Sequence, residues 1–206
     1  YIDQCKEKIA SLGNMNIEKM GQKLTWEAMI ITMEAIIAFA HRYADLAEKM
    51  AAECENPERK EQLLTIAENC RVVPENPPQT FQQAAQLVWF THLALMMENN
   101  GRDHSLGRFD QYMYPFYKND LANGVEEEYI ADIIHEFKLK IEEMLYLHNE
   151  FESEAYPGCA LYIHLMLGGV LADGSDGCNE LTNLILHGME DLQTKEPCIS
   201  FRYHDN

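Results

Sequence analysis

The densest group of residues able to bind an ion or move a proton is Glu98-Asn99-Asn100-Gly101-Arg102-Asp103-His104-Ser105-Leu106-Gly107-Arg108, which continues into Phe109-Asp110-Gln111. Arg102 offers a planar fork that matches a carboxylate. Asp103 and His104 are groups that exchange protons, and Ser105 adds a hydroxyl. The same residue types equally build an internal network, in which Arg108 pairs with a carboxylate and Asp110 or Ser105 caps a helix. Pattern alone leaves both readings open. A second pair, Tyr162 and His164, is two residues apart in an apolar run, so on a strand both would face the same side. They are read either as pocket-lining groups or as wall packing with satisfied polar tips.

Several chemistries lack their motif. There is no GxSxG elbow beside His104-Ser105, and adjacent residues seldom form a nucleophile–base pair. Gly168, Gly169, Gly174 and Gly177 do not follow GxGxxG or GxxxxGK[ST] order, which removes support for a nucleotide site. The eight histidines contain no HExxH, and no metal site is expected. Tyr112, Tyr114, Phe116 and Tyr117 read as packing aromatics, and Met96 and Met97 as core residues.

The elements that would position these groups are mostly helical. Asn16 suits an N-cap, no proline interrupts Ile17 to Cys54, and Ala28, Ile31, Ala35, Ala38 and Arg42 follow helical spacing along one face. Asn56-Pro57 starts another helix to about Cys70, with proline at its first turn. Pro74, Pro77 and Pro78 make an extended connector. Thr80 caps an apolar helix from Phe81 to Met97, which its composition marks as buried. A helix from Phe109 to Asn119 follows. Glu126-Glu127-Glu128 then place negative charge at the start of a long helix to about Asn149. After Pro157 the pattern changes: Leu161 to Leu167 and Pro197 to Tyr203 read as buried strands flanking a helix from Asn179 to Leu192. That order suggests a right-handed crossover between parallel strands. Two buried strands need neighbours, and the chain opens without methionine, so a piece of a larger protein is expected.

Composition narrows the partners. Among 206 residues, 47% are hydrophobic and 24% charged, which suits a globular chain with a real core. A formal charge of -18 opposes phosphate and anionic lipid surfaces, so neither nucleic acid nor membrane is expected as a partner. Charges are read as interrupting each apolar run before membrane-spanning length. Six scattered cysteines without a CxxC pair read as reduced thiols of a cytoplasmic protein.

At these residues the chain resembles the glycyl radical enzymes, the superfamily of pyruvate formate-lyase and glycerol dehydratase. The matching segments are His41-Arg42-Tyr43-Ala44, Val73-Pro74-Glu75-Asn76-Pro77-Pro78-Gln79-Thr80-Phe81, and Gln86 to Phe90. The sharpest is Gly107-Arg108-Phe109-Asp110-Gln111-Tyr112-Met113-Tyr114-Pro115. Gly168-Gly169 with Asp173-Gly174, then Asn179-Glu180-Leu181 and Pro197 to Arg202, continue it in order.

The resemblance implies a mainly α fold with a few parallel strands, part of a β/α barrel wrapped by helices. Residues 1–206 would be a segment of one pyruvate formate-lyase-like domain, mostly helical over 1–151 and strand–helix–strand over 152–206. It implies a lyase of the dehydratase and decarboxylase branch, working anaerobically by thiyl-radical hydrogen abstraction. Its cofactor would be a protein-borne glycyl radical, installed by an activating enzyme that uses S-adenosylmethionine and an iron–sulfur cluster. Thiyl cysteine and radical glycine are expected after Asn206, so this segment carries no catalytic residue, binds no metal or nucleotide, and is expected to be inactive alone. Substrate-binding candidates are Arg102, Asp103, His104, Ser105, Tyr162 and His164. Arg102-Asp103 stand where the family more often has histidine-serine, and Arg102 favours a small carboxylate substrate. A homodimer is the family expectation. A non-catalytic acidic helical interaction or scaffold module is the alternative from another class.

Overall fold

The computed structural model describes residues 1–98, 104–144, 149–155 and 162–203. They divide into two compact units, Tyr1–Pro77 and Pro78–Asn206.

The first unit contains α1 (Ile2–Ala10), α2 (Ile17–Glu53) and α3 (Pro57–Val72). The side chain of Asn16 accepts the Lys19 N–H at 2.8 Å, and Asn56 accepts that of Arg59 at 3.1 Å. Each therefore satisfies an amide that a helix start leaves orphaned. Helices α2 and α3 pack together, and the buried residues they carry include Ala40, Ala44, Ala47 and Ala51 on α2 and Leu63, Ala67 and Cys70 on α3. Alanine at this spacing removes side-chain bulk and lets helix backbones approach. The expected face was a different one: Ala28, Ile31, Ala35, Ala38 and Arg42 are all exposed. Helix α2 is apolar around much of its girth, so spacing alone admits more than one stripe. For the same reason the expectation that charges break every apolar run needs correction. Helix α2 is long and apolar enough to cross a membrane by length and composition, although only 6% of its apolar window is buried. Between Lys23 and Arg42 the only acidic residues are Glu27 and Glu34.

The second unit contains α4 (Phe81–Glu98), β1 (Ser105–Arg108), α5 (Phe109–Ala122), α6 (Glu127–Glu142), α7 (Glu150–Ala155), β2 (His164–Gly168), α8 (Glu180–Leu192) and β3 (Cys198–Arg202). The three strands form one sheet in the order β1-β2-β3, parallel throughout. Strand β1 lies in what reads as a polar loop. The long helix expected to reach Asn149 ends at Glu142, with Glu143 as its C-cap; residues 145–148 lie outside those described. Met97 is 61% exposed, so of the methionine pair only Met96 belongs to the core.

One face of the sheet is closed. Ile163, Leu165 and Leu167 are at most 2% exposed and join Phe109, Met113, Ile130, Ile134, Phe137, Ile141, Leu181 and Ile185 in a single core. His164, Ser105 and Ser200 stand on the other face, because His164 pairs with Ser105 and with Cys198, and Met166 with Ser200. A register shift between Ser105 and Gly107 lets three steps along β1 match two along β2. It returns Arg108 to the side of Met166.

Candidate functional site: the open face of the sheet

Buried charged side chains set the strands in place before any functional group is considered. Asp110 is fully buried, and its Oδ2 accepts the Gly168 N–H at 2.7 Å and the Thr182 hydroxyl at 2.6 Å. One carboxylate thus joins the start of α5, the end of β2 and the first turn of α8. The Asn179 side chain adds a bond to the Asp110 carbonyl at 3.3 Å, and Gln111 donates to the Gly168 carbonyl at 2.8 Å. Gly168 has φ +68, and a Cβ there would meet the Arg202 carbonyl oxygen at 2.8 Å, so glycine is required by both conformation and space.

The other end of β2 is held by Glu196, which is 5% exposed. Its two carboxylate oxygens accept the N–H groups of Tyr162 at 3.0 Å and Ile163 at 3.1 Å. The Glu196 N–H in turn donates to Glu142 at 2.8 Å. On α6, the buried Lys138 ammonium donates to the Gly188 carbonyl at 2.9 Å, and desolvation holds its pKa below the usual lysine value. Asp120 receives the Phe81 N–H at 2.8 Å and so caps α4 from 39 residues away. Sequence reading names none of these five carboxylate and ammonium partners for their long-range role.

Against this frame, the predicted site residues separate. Ser105 and His164 come together: the Ser105 hydroxyl donates to the His164 carbonyl at 3.3 Å and accepts the Gly107 N–H at 3.3 Å. His164 is exposed on the open face, where its Nδ1 lies 3.3 Å from the Ser200 hydroxyl. Ser200 is absent from the sequence candidates. Strand alternation in Cys198-Ile199-Ser200 would have exposed it once β2 and β3 were known to be in register.

His104 turns the other way. Its ring lies 6.1 Å from that of His92 on α4, at 84°, and the buried Nε2 atoms of both rings have no partner among the described residues. Desolvation, with the neighbouring His104 as a smaller cause, lowers His92 to about 4, so its ring is neutral at physiological pH.

Tyr162 precedes β2 with φ 56, a left-handed conformation uncommon for a bulky residue. The left-handed backbone interrupts regular strand geometry at Tyr162, while Tyr162 and His164 are both exposed on either side of the buried Ile163. Arg102 and Asp103 lie outside the described residues. No group of three or more metal-ligating side chains occurs among the described residues. A cleft of about 210 Å³ beyond the C-terminal end of β2, lined by Gln111, Tyr114, Cys178 and Glu180 among others, contains none of the sequence candidates.

The open face thus offers hydroxyls from Ser105 and Ser200 and an imidazole from His164. These groups donate or accept hydrogen bonds to a substrate oxygen and hold a proton near it. Cys198, in register with His164, has its thiol pKa raised by desolvation and by Glu196, which keeps it protonated and uncharged.

The chain belongs to the pyruvate formate lyase-like family, whose model matches residues 1–206. Among its relatives, (2S)-3-sulfopropanediol dehydratase of Klebsiella oxytoca is 33% identical over 207 residues, covering 100% of this chain and 25% of that protein. A solved structure concerned with 1,2-propanediol dehydration in Roseburia inulinivorans superposes with a TM-score of 0.94 at 32% identity, over 98% of this chain and 26% of that one. A glycyl radical enzyme from Archaeoglobus fulgidus does so with a TM-score of 0.92 at 34% identity, again over 98% and 26%. The chain therefore spans about a quarter of the length of the proteins it matches. The neighbours agree with the expected fold class, a largely helical segment carrying a few parallel strands of a larger barrel.

Proposed function

We propose that the polypeptide carrying this chain is a glycyl radical lyase that removes a small group from a small organic substrate. Residues 1–206 would supply one wall of its substrate space as part of a single domain. The observation that carries this reading is the family match over every residue of the chain, combined with a sheet that buries one face and leaves a polar face open. The relatives whose printed names specify a reaction include dehydratases, sulfite-lyases and a decarboxylase, and the reading covers elimination of a small group without choosing among these.

In this reading the chain binds and orients. The Ser105 hydroxyl and the His164 imidazole meet substrate oxygens in front of β1 and β2, while Arg102 pairs with an anionic substituent and Asp103 with a hydroxyl. His104 and Tyr162 border the same space, His104 through its backbone at the start of β1. A protein-borne glycyl radical, generated by an S-adenosylmethionine and iron–sulfur activating enzyme, would supply hydrogen-atom abstraction. Both radical-bearing residues would lie outside this chain, and no residue described here is assigned to that step. The enzyme would act as a homodimer in the cytoplasm.

The test is electron paramagnetic resonance of the intact polypeptide after anaerobic activation, followed by kinetics of Arg102→Ala. A glycine-centred radical signal that depends on the activating enzyme supports the reading; its absence from fully activated protein overturns it. Arg102→Ala should raise KM about tenfold or more for a carboxylate or sulfonate substrate, as expected for a lost charge-assisted pair. Unchanged kinetics would remove Arg102 from the site.

A further inference from the structure

The hydroxyl of Ser200 belongs to β3, two residues beyond the point where Cys198 is in register with His164. On a parallel pair such diagonal neighbours come within reach when one side chain is long, and here the imidazole closes the gap to 3.3 Å. From the opposite side, Ser105 on β1 binds the His164 carbonyl at 3.3 Å. His164 is thus held through its backbone by one strand and through its ring by another, with Nε2 left for a further partner. Its in-register neighbour Cys198 stays a neutral thiol, whose Sγ lies 3.6 Å from the Lys195 carbonyl. Ser200 is accordingly the side chain given a hydrogen-bonding role toward the ring.

We propose that Ser200 is a positioning residue, whose hydroxyl holds Nδ1 of His164 and thereby fixes the ring orientation that Nε2 presents to the substrate space. A serine hydroxyl donates or accepts, so it holds Nδ1 in either tautomer, and what the contact sets is the direction in which Nε2 points. This inference rests on the reading of His164 as part of the substrate wall, and the experiment separates the two.

In the intact polypeptide, Ser200→Ala and Ser200→Thr are compared by steady-state kinetics and by the labelling rate of His164 with diethyl pyrocarbonate, read by peptide mass mapping. Ser200→Ala should accelerate labelling about threefold and raise KM about tenfold, roughly the loss of one hydrogen bond, with kcat changed far less. Ser200→Thr, which keeps the hydroxyl, should restore both. Labelling of His164 unchanged in Ser200→Ala overturns the positioning contact, whatever the kinetics. Labelling accelerated with KM unchanged upholds the contact and removes His164 from the substrate wall, a failure of the site reading alone. Failure of Ser200→Thr to restore either measurement, in a protein that folds, also overturns the role of the hydroxyl.

Discussion

On one side of β2, Ile163, Leu165 and Leu167 are at most 2% exposed among helices; on the other, His164 is exposed and bonds the hydroxyls of Ser105 and Ser200 on its neighbouring strands. Five consecutive residues thus serve two environments, and the pleat sorts them. The closed side belongs to the buried core, where each methylene matters. The open side has polar groups bonded to the strands beside them. A substitution on the closed side should therefore appear in stability, and one on the open side in substrate handling.

The largest effect expected tests that division directly. Leu167→Ala should cost about 3 kcal/mol in urea-induced unfolding, in the range for buried leucine truncations. Met166→Ala, one residue away, should cost less than about 1 kcal/mol by the same measurement. Equal losses would mean that both faces are packed core. Asp110→Ala comes next, at about 3 kcal/mol, because the Gly168 N–H and the Thr182 hydroxyl would both be left buried and unpaired. Asp110→Asn, which retains an acceptor, should lose visibly less.

A third test concerns acid. His92 is held neutral down to about 4 against an ordinary 6.5, so between those values the unfolded chain binds more protons than the folded one. Stability should rise with pH across that window, and on acidification the contribution of His92 should be lost progressively from about pH 6.5 toward 4, on the order of 2 kcal/mol in all. His92→Phe should flatten this limb when urea midpoints are followed across pH. An unchanged slope would show that another group carries it. The smallest effect is at a cap: Asp120→Ala should cost about 1 kcal/mol by freeing the Phe81 N–H.

Much of the helical framework is legible in the sequence because its signals are local. Asn16, Asn56 with Pro57, and Thr80 mark helix starts whose bonds close within three or four residues. Strand β1 is illegible for the opposite reason. Its four residues include a glycine and a register shift, and only hydrogen bonds to β2 make them a strand. Asp110 and Glu196 likewise look like ordinary surface acids, since the amides they satisfy are 58 and 33 or 34 residues away. For the candidate site, adjacency misleads. His104 and Ser105 are neighbours in sequence, yet one ring turns to His92 on α4 while the hydroxyl next to it meets β2. The partnership of His164 with Ser200, 36 residues apart, needed the register of β2 and β3 to be seen.

The extra residue in β1 has a consequence for anyone who edits or aligns this segment. Ser105 and Arg108 reach the same side of the sheet although they are an odd number of positions apart, because β1 advances three positions while β2 advances two. Position counting along β1 therefore behaves like a parity bit. Deleting Leu106 would leave the serine and the arginine two positions apart, a regular strand interval that keeps both on one side and removes the register shift. In related chains, the length of the Ser105–Arg108 interval is thus as informative as the identity of its residues. A library that randomises side chains at fixed length would preserve the shift, whereas a single-residue deletion in this interval would remove it.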